Sequence, residues 1–349
     1  MPELGNWRRL TDAVTWNARL KAVDGKYQEA FDNILSCYRA ACQNCRNSSL
    51  LAEQSFGIML KERILNVAVV ILDRSKPRPA DLKKLQDSLQ GEFDSDTFVV
   101  DFETEKLVYY DILQRIFVYN RKGTGRLACS EAVRNGGRHY HWETFFACLI
   151  GPTENEMKRR IDEVFTSVES IKGLTPWQLN LRQSDFFGKL SLTKCENCYD
   201  FGLDSFFISF RPSSLYRGFY RQKAREEALL AILAVHRFRA EKGSFPASLD
   251  ELVSNGFLQH LPPDPFSDGP LVYRADVNDF TLYSVGEDFK DDGGKGIGNA
   301  MTGFSRSRSP ALDIVFWPPA RPQPPDIFSL PLLPPRQPEK PATRPVPDI

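Results

Sequence analysis

The chain changes character near residue 221, where a long helical pattern gives way to closely spaced short strands. Apolar side chains recur on one face of Arg225–Glu241, and Gly243 follows as a helix-ending glycine. Strands this close together pair as antiparallel hairpins, so residues 221–317 are predicted to form an α+β unit. The three predicted strands are Leu271–Arg274, Phe280–Val285 and Leu312–Trp317.

The preceding 220 residues show mainly helical periodicity. Thr153 and Glu156 have the spacing of a capping box, in which each side chain accepts a hydrogen bond from a free backbone N–H at the start of a helix. We therefore predict that residues 1–220 form a mostly α-helical domain, whose role the sequence does not indicate. Its clearest apolar stripe consists of Leu60, Ile64, Val67 and Ile71.

The C-terminal segment is dominated by proline. Residues 318–349 hold 12 of the chain's 24 prolines, and proline removes backbone donors and restricts φ. This segment is therefore predicted to be a disordered, extended tail. It is either a solvated tail or a ligand for a groove that binds polyproline II helices, and the runs at 322–325 and 331–334 fit the second alternative.

The charge balance and apolar runs exclude some partner classes. The chain carries 45 Lys and Arg residues against 45 Asp and Glu residues, which argues against nucleic acid or an acidic membrane as the main partner. The longest apolar run, Ala228–Val235, is far shorter than the about 20 residues that span a bilayer. No signal-peptide core opens the sequence. The sequence predicts a soluble chain and leaves its compartment open. It is the cell envelope or periplasm if a hydrophobic leader precedes Met1, and the cytoplasm otherwise.

Two Cys-x-x-Cys pairs are candidate metal ligands. Cys42 and Cys45 form one pair, and Cys195 and Cys198 form the other. Four thiolates can hold a structural zinc ion in tetrahedral geometry. Because about 150 residues separate the pairs, the alternative of two local thiol pairs, either reduced or disulfide-bonded, stays open.

A second candidate metal site also lies within residues 1–220. His139 and His141 are two residues apart, which on a strand places both imidazoles on one face, and Glu143 follows them. The neighbouring Gly136 and Gly137 favour a plain loop instead. These histidines and the thiol pairs support an alternative hypothesis, in which the chain is a metalloprotein or an enzyme with a site in the N-terminal helical domain.

Several short motifs occur in order between residues 225 and 317. They are Ala228-Leu229, Phe238, Gly243-Ser244-Phe245-Pro246, Leu249-Asp250-Glu251-Leu252, Leu261-Pro262, Asp264-Pro265-Phe266, Tyr273, Tyr283-Ser284-Val285-Gly286, Asp288, Asp291-Asp292-Gly293-Gly294 and Asp313-Ile314. In this order and spacing they resemble the periplasmic domain of the major pseudopilin of type II secretion systems, a module that also recurs in other bacterial proteins. The resemblance implies a long helix packed on a small antiparallel sheet. Pseudopilins assemble through an N-terminal apolar membrane helix, and residues 1–220 stand in its place here.

The resemblance also implies a calcium ion. In these pseudopilins the loop after the last hairpin binds calcium, and Asp288 and Asp313 hold the matching positions. Asp291 and Asp292 are further carboxylates of this region, and calcium takes six to eight oxygen ligands. Ala311 stands where the family has another aspartate. An ordinary solvated Asp-Gly turn is the alternative.

These observations lead to one functional hypothesis. We expect a non-enzymatic structural or interaction protein whose pseudopilin-like module has a calcium-stabilised loop. Its partners are expected to be other proteins rather than nucleic acid. A helical scaffold joined to a small rigid head suits contacts with proteins better than chemistry on a small molecule.

Overall fold

The computed structural model describes residues 2–119, 125–127, 153–182, 186, 212–295 and 313–319. Helices and strands are numbered in chain order over these residues. The segment from residue 320 onward lies outside them, so the predicted disorder of the proline-rich tail stays a prediction. In the described part of the chain, none of the helices combines the length and the apolar character that crossing a bilayer requires.

Four long helices open the chain. The first three pack against one another, and the fourth packs on the second and on the long helix Pro212–Lys242. The predicted stripe at residues 60, 64, 67 and 71 is buried in this packing. The four helices are α1 Pro2–Val23, α2 Tyr27–Asn47, α3 Leu51–Arg74 and α4 Pro79–Ser95.

Three further helices and a two-stranded ribbon follow in the described N-terminal region. The predicted capping box is confirmed, since the Thr153 side chain accepts from the Glu156 backbone N–H at 3.3 Å and Glu156 accepts from the Thr153 N–H at 2.7 Å. The capping box opens the helix Glu154–Glu169, and a short helix follows that one. The elements are α5 Glu103–Ile116, strands β1 Phe117–Tyr119 and β2 Gly125–Leu127, α6 Glu154–Glu169 and α7 Pro176–Arg182.

The longest helix, α8, spans Pro212–Lys242 and has 31 residues. Gly243 ends it as predicted, with a φ of 80° and its N–H donated to the Arg239 carbonyl at 2.9 Å. The helix begins well before Arg225, where the apolar pattern becomes clear. Its first turns contain polar side chains that hide the periodicity.

A three-stranded antiparallel sheet follows α8 and the short helix α9, Leu249–Ser254. Its strands are ordered β3–β4–β5, with Tyr273 opposite Leu282 and Tyr283 opposite Val315. The predicted α+β class is therefore confirmed. The strands are β3 Val272–Ala275, β4 Phe280–Ser284 and β5 Ile314–Trp317.

One apolar core contains residues from α1 to α4 and from α8, α9 and the sheet. Every residue of Ala228–Val235 is at most 2% exposed within it. A second cluster joins α5 and α6 to Leu215 and Phe219 of α8. The predicted domain boundary at residue 220 stays a prediction. It falls inside α8, and residues from both sides of the boundary share one core.

Candidate functional site

The predicted calcium loop begins as a tight turn after β4. Gly286, Gly293 and Gly294 have φ angles of 78°, 82° and 76°, a region that side chains with a Cβ rarely adopt. Phe289 has a φ of 63° without being glycine. The backbone of residues 286–294 is therefore folded back on itself, which brings its N–H groups close to carboxylates.

Asp313 holds this turn from the start of β5. One carboxylate oxygen accepts the Gly294 N–H at 2.7 Å, and the other accepts the Asp292 N–H at 3.3 Å. The residue is 2% exposed. Burial raises the pKa of this carboxyl, and the nearby charges of Asp291 and Asp292 act in the same direction. Asp313 therefore links the turn to the sheet through hydrogen bonds.

Asp291 makes a second set of contacts on the exposed side of the turn. Its Oδ1 accepts from the Tyr283 hydroxyl and from the Gly293 N–H, both at 2.8 Å. Its Oδ2 lies 3.3 Å from the Arg274 guanidinium. The Tyr283 hydrogen bond and then the Gly293 hydrogen bond lower the pKa of Asp291. This carboxylate stays ionised and fastens the turn to β3 and β4.

The other two predicted calcium ligands contribute less. Asp288 accepts only the Lys290 N–H, at 3.2 Å, within its own turn, and the Asp292 side chain is exposed. The turn thus brings Asp291 and Asp292 near Asp313. Within the described residues, no three His, Cys, Asp or Glu side chains are grouped so that they could hold a metal ion. As arranged, the oxygens of Asp313 and Asp291 face N–H and O–H donors, and calcium binding stays a prediction.

Sequence reasoning missed a third carboxylate next to this turn. Asp264 is 3% exposed and accepts from the Phe266 N–H, the Ser284 hydroxyl and the Val285 N–H at 2.8 to 3.0 Å. Burial raises its pKa, against the effect of these hydrogen bonds. It joins the proline-bounded loop to the end of β4. Its position before Pro265 was the available signal, since Asp-Pro pairs initiate turns.

A residue of the N-terminal region also contacts the turn. The Trp177 N–H of α7 donates to the Pro265 carbonyl at 3.1 Å. The Trp177 ring lies 6.0 Å from the ring of Phe289, the residue with the unusual backbone angle. Part of the predicted N-terminal domain therefore covers the turn of the α+β unit.

Cys42 and Cys45 lie on the buried face of α2 as free thiols. Burial raises the pKa of Cys42, and it raises the pKa of Cys45 to about 12. Burial therefore favours the neutral thiol over the thiolate, which is the form that binds metals. Cys195 and Cys198 lie outside the described residues, so the zinc prediction stays a prediction.

The two thiols border a group of buried charged side chains, which we call the charge cluster: Lys61, Asp96, Lys223, Glu226 and the hydroxyl of Tyr38. Lys61 and Asp96 are hydrogen-bonded, with their side chains 2% and 0% exposed. Tyr38 donates to Glu226 at 2.5 Å, and Lys223 lies 3.0 Å from Glu226 and 3.7 Å from Asp96. The cluster joins α2, α3 and α8 to the residue that follows α4.

The charges of this cluster stabilise one another. Desolvation acts to lower the pKa of Lys61, but the negative charges around it, chiefly the Glu226 and Asp96 carboxylates, outweigh this effect and raise the pKa. Desolvation acts to raise the pKa of Asp96, and Lys61 more than reverses it, so that the pKa is lowered. Both groups are therefore ionised at neutral pH. Sequence analysis missed Lys61, although a lysine one helical turn before Ile64 and Leu65, on the same helix face, was a signal.

Two arginines of α8 extend the polar contacts along the helix. Arg225 pairs with Glu62 of α3 at 3.0 Å, and its guanidinium lies 5.6 Å from the ring centre of Phe316 in β5. Arg237 donates to Gln86 of α4 at 2.8 Å. The long helix α8 is thus bonded to the N-terminal helices α3 and α4.

Other predicted site residues lie outside the described residues. These are His139, His141 and Glu143 of the alternative metal site, and Ala311 of the calcium loop. The hypothesis of an enzyme or metalloprotein with a site in residues 1–220 therefore stays a prediction.

No family model matches this chain, and neither the curated proteins nor the solved structures include a match to it. The resemblance to the pseudopilin module therefore rests on the motifs alone. It stays a prediction.

Proposed function

We propose that this chain is a non-enzymatic structural or interaction protein, in which the N-terminal helices hold a pseudopilin-like head in a fixed position. The observation that carries this proposal is that α8 belongs to both parts. Its apolar stretch lies in the core that the sheet shares with α1 to α4, while Arg225 and Glu226 are bonded to α3 and α2. A head connected in this way is suited to present one surface to a partner.

The distribution of polar groups supports this proposal. The buried charges described above are paired with one another. Removing one partner of a buried ion pair lowers the free energy of unfolding by about 3–5 kcal/mol. Such a network suits a structural role. In addition, two depressions on the described surface are each lined by residues of a single helix, one on α6 and one on α4, whereas binding sites for small molecules are usually concave clefts between elements.

Calcium and a location at the cell envelope form the finer part of the proposal. Both follow from the pseudopilin resemblance, and calcium binding requires the Asp313 and Asp291 oxygens to exchange N–H donors for the ion. We expect millimolar calcium to raise the melting temperature of the full chain. The Asp313→Asn variant should lose the response, whereas Asp288→Asn should weaken it. An unchanged melting temperature at millimolar calcium contradicts calcium binding and leaves the structural role untouched.

The proposed role is tested by site-specific cross-linking in cells that contain the full chain. A photoreactive residue is placed at Val277 of the head, which is 88% exposed, and at Leu107 of α5, which is 66% exposed. We expect discrete adducts with other proteins from the Val277 position and none from Leu107. Adducts from neither position, together with one equivalent of zinc or a transition metal in the purified protein, favour the metalloprotein or enzyme alternative.

A further inference from the structure

The groove between α1 and α3 contains three arginines, Arg19, Arg63 and Arg74, and we call it the arginine groove. The Asp12 carboxylate of α1 pairs with Arg63 of α3 at 2.8 Å, which fixes the two helices against each other at that level. Arg19 follows Asp12 by two turns of α1, and Arg74 follows Arg63 by three turns of α3. Residues separated by whole turns share one face of a helix, so Arg19 and Arg74 lie on the faces that meet at the ion pair.

The directions of the helices bring Arg19 and Arg74 close together. Residues 24–26 join α1 to α2, and residues 48–50 join α2 to α3. Such short connections make successive helices antiparallel, so α1 and α3, which are in contact, run in the same direction. Measured from the ion pair, Arg19 lies about 10 Å along α1 and Arg74 about 16 Å along α3. The two arginines are therefore about one helical turn apart along the groove.

Arg19 is held in place without an ion-pair partner in the described part of the chain. Its Cζ lies 5.4 Å from the ring centre of Trp16, a contact that orients the guanidinium. Its Nε is buried and has no hydrogen-bond partner among the described residues. Burial, and then the positive charges of Arg74 and Arg63, lower the pKa of Arg19, whereas Asp12 acts in the opposite direction. The groove thus places positive charges side by side.

The charges of the arginine groove do not balance. Asp12 neutralises Arg63, and Arg74 is exposed and forms no ion pair with the described residues. Asp73 precedes Arg74 but lies about 100° around the helix from it. Two positive charges therefore remain. A phosphate monoester carries a charge of about −1.5 to −2 at pH 7, which matches them better than the single charge of a carboxylate.

We propose that Arg19 and Arg74 bind a phosphate group of a small soluble molecule in the arginine groove. Guanidinium groups form paired, charge-assisted hydrogen bonds with phosphate oxygens. Arg63 adds positive charge while it stays bonded to Asp12. The Nε of Arg19 is buried, so the ligand has to be small enough to enter between the helices. This proposal rests on α1 and α3 and is independent of the proposed role of the head.

The test is isothermal titration of the full chain with inorganic pyrophosphate, with acetate at the same concentration for comparison. We expect saturable binding of pyrophosphate and none of acetate. Arg19→Gln and Arg74→Gln should each weaken binding by at least about tenfold, because each variant loses a charge-assisted hydrogen bond. Arg19→Lys should also weaken it, since lysine keeps the charge but lacks the planar fork.

Asp12→Asn separates a binding site from a merely structural cluster. It removes the carboxylate of the groove and frees Arg63, so it should strengthen pyrophosphate binding by about fivefold. The matched control is Arg115→Gln on α5, whose arginine side chain is 73% exposed and pairs with Asp111. This variant should bind pyrophosphate like the unaltered chain.

Several results would overturn the proposal. These are absence of heat at millimolar pyrophosphate, equal binding of acetate, and an equal loss in Arg115→Gln and Arg19→Gln. Weaker binding by Asp12→Asn with an unchanged circular dichroism spectrum also contradicts it. Binding to vesicles that contain phosphatidic acid, without binding of pyrophosphate, overturns the assignment to a small soluble ligand.

Discussion

The two halves of α8 are buried by different interactions. In the first half, Lys223, Arg225 and Glu226 meet charged or polar partners from neighbouring helices. In the second half, Ala228–Val235 is apolar throughout and almost completely buried. Apolar burial is non-directional, whereas a buried charge tolerates few arrangements. We infer that the second half supplies most of the stabilising free energy and that the first half fixes where the helix lies along α2 and α3.

The largest expected effect comes from breaking the charge cluster. Asp96→Ala leaves the Lys61 ammonium buried without its nearest carboxylate, and it should lower the free energy of unfolding by about 3–5 kcal/mol. Urea denaturation of the full chain measures this. Asp87→Ala is the matched control, because its pair with Lys83 is exposed, and it should change stability by no more than about 0.5 kcal/mol.

A double variant sharpens this comparison. Replacing Lys61 by Met and Asp96 by Leu removes both charges, and apolar replacement of a buried pair is often neutral or stabilising. Stability should therefore recover most of what Asp96→Ala loses. A double variant as unstable as Asp96→Ala contradicts the view that the unpaired charge causes the loss.

The apolar half should be sensitive to volume rather than to chemistry. Leu233 is fully buried, so Leu233→Ala should cost about 2–5 kcal/mol through lost burial and a cavity. Leu233→Met keeps the volume and should cost less than about 1.5 kcal/mol. The same denaturation experiment checks both. Equal losses in the two variants contradict the proposed division between the halves of α8.

A pH titration tests the point at which α8 meets the sheet. Burial lowers the pKa of His236 from 6.5 to about 4, and its ring lies 4.8 Å from that of Trp317. The unfolded histidine gains a proton as the pH falls through 6.5, and the folded one does so only near pH 4. The contribution of His236 to the free energy of unfolding is therefore complete above pH 6.5. As the pH falls toward 4, this free energy decreases by up to about 3 kcal/mol.

The His236→Phe variant isolates that contribution. Phenylalanine suits an aromatic environment formed by Phe280 and Trp317 and does not titrate. The loss of stability between pH 7 and pH 4.5 should therefore be smaller in the variant than in the unaltered chain. Identical pH dependence in the two proteins rules out a neutral buried His236.

The smallest expected effect lies in the acidic turn. Asp313→Asn keeps one carbonyl acceptor but turns an NH₂ group toward a second backbone donor, which should cost about 1–3 kcal/mol. Hydrogen exchange should show faster exchange at Asp292 and Gly294, with the helices unaffected. Asp288→Asn, which alters a single contact, should leave exchange at those two amides unchanged.

Local patterns made part of this fold predictable. The capping box at Thr153, the end of α8 at Gly243 and the three strands of the head depend on residues close together in the chain. The start of α8 was missed because Arg217, Arg221 and Lys223 interrupt the apolar periodicity before Arg225.

Long-range pairings were not predictable from one sequence. Lys61 and Asp96 are 35 residues apart, and Tyr38 and Glu226 are 188 apart. Nothing local to either residue indicates its partner. In the acidic turn, Asp313 was identified by resemblance as a metal ligand, but its contacts with the Asp292 and Gly294 N–H groups depend on the path of the backbone.

The shared helix has a mechanical consequence. At 31 residues, α8 is a rod about 46 Å long, and near its middle Arg225 contacts both Glu62 of α3 and Phe316 of the sheet. We therefore expect a force on the sheet to be transmitted to α3 through this residue. Two domains joined by a flexible linker would reorient independently instead.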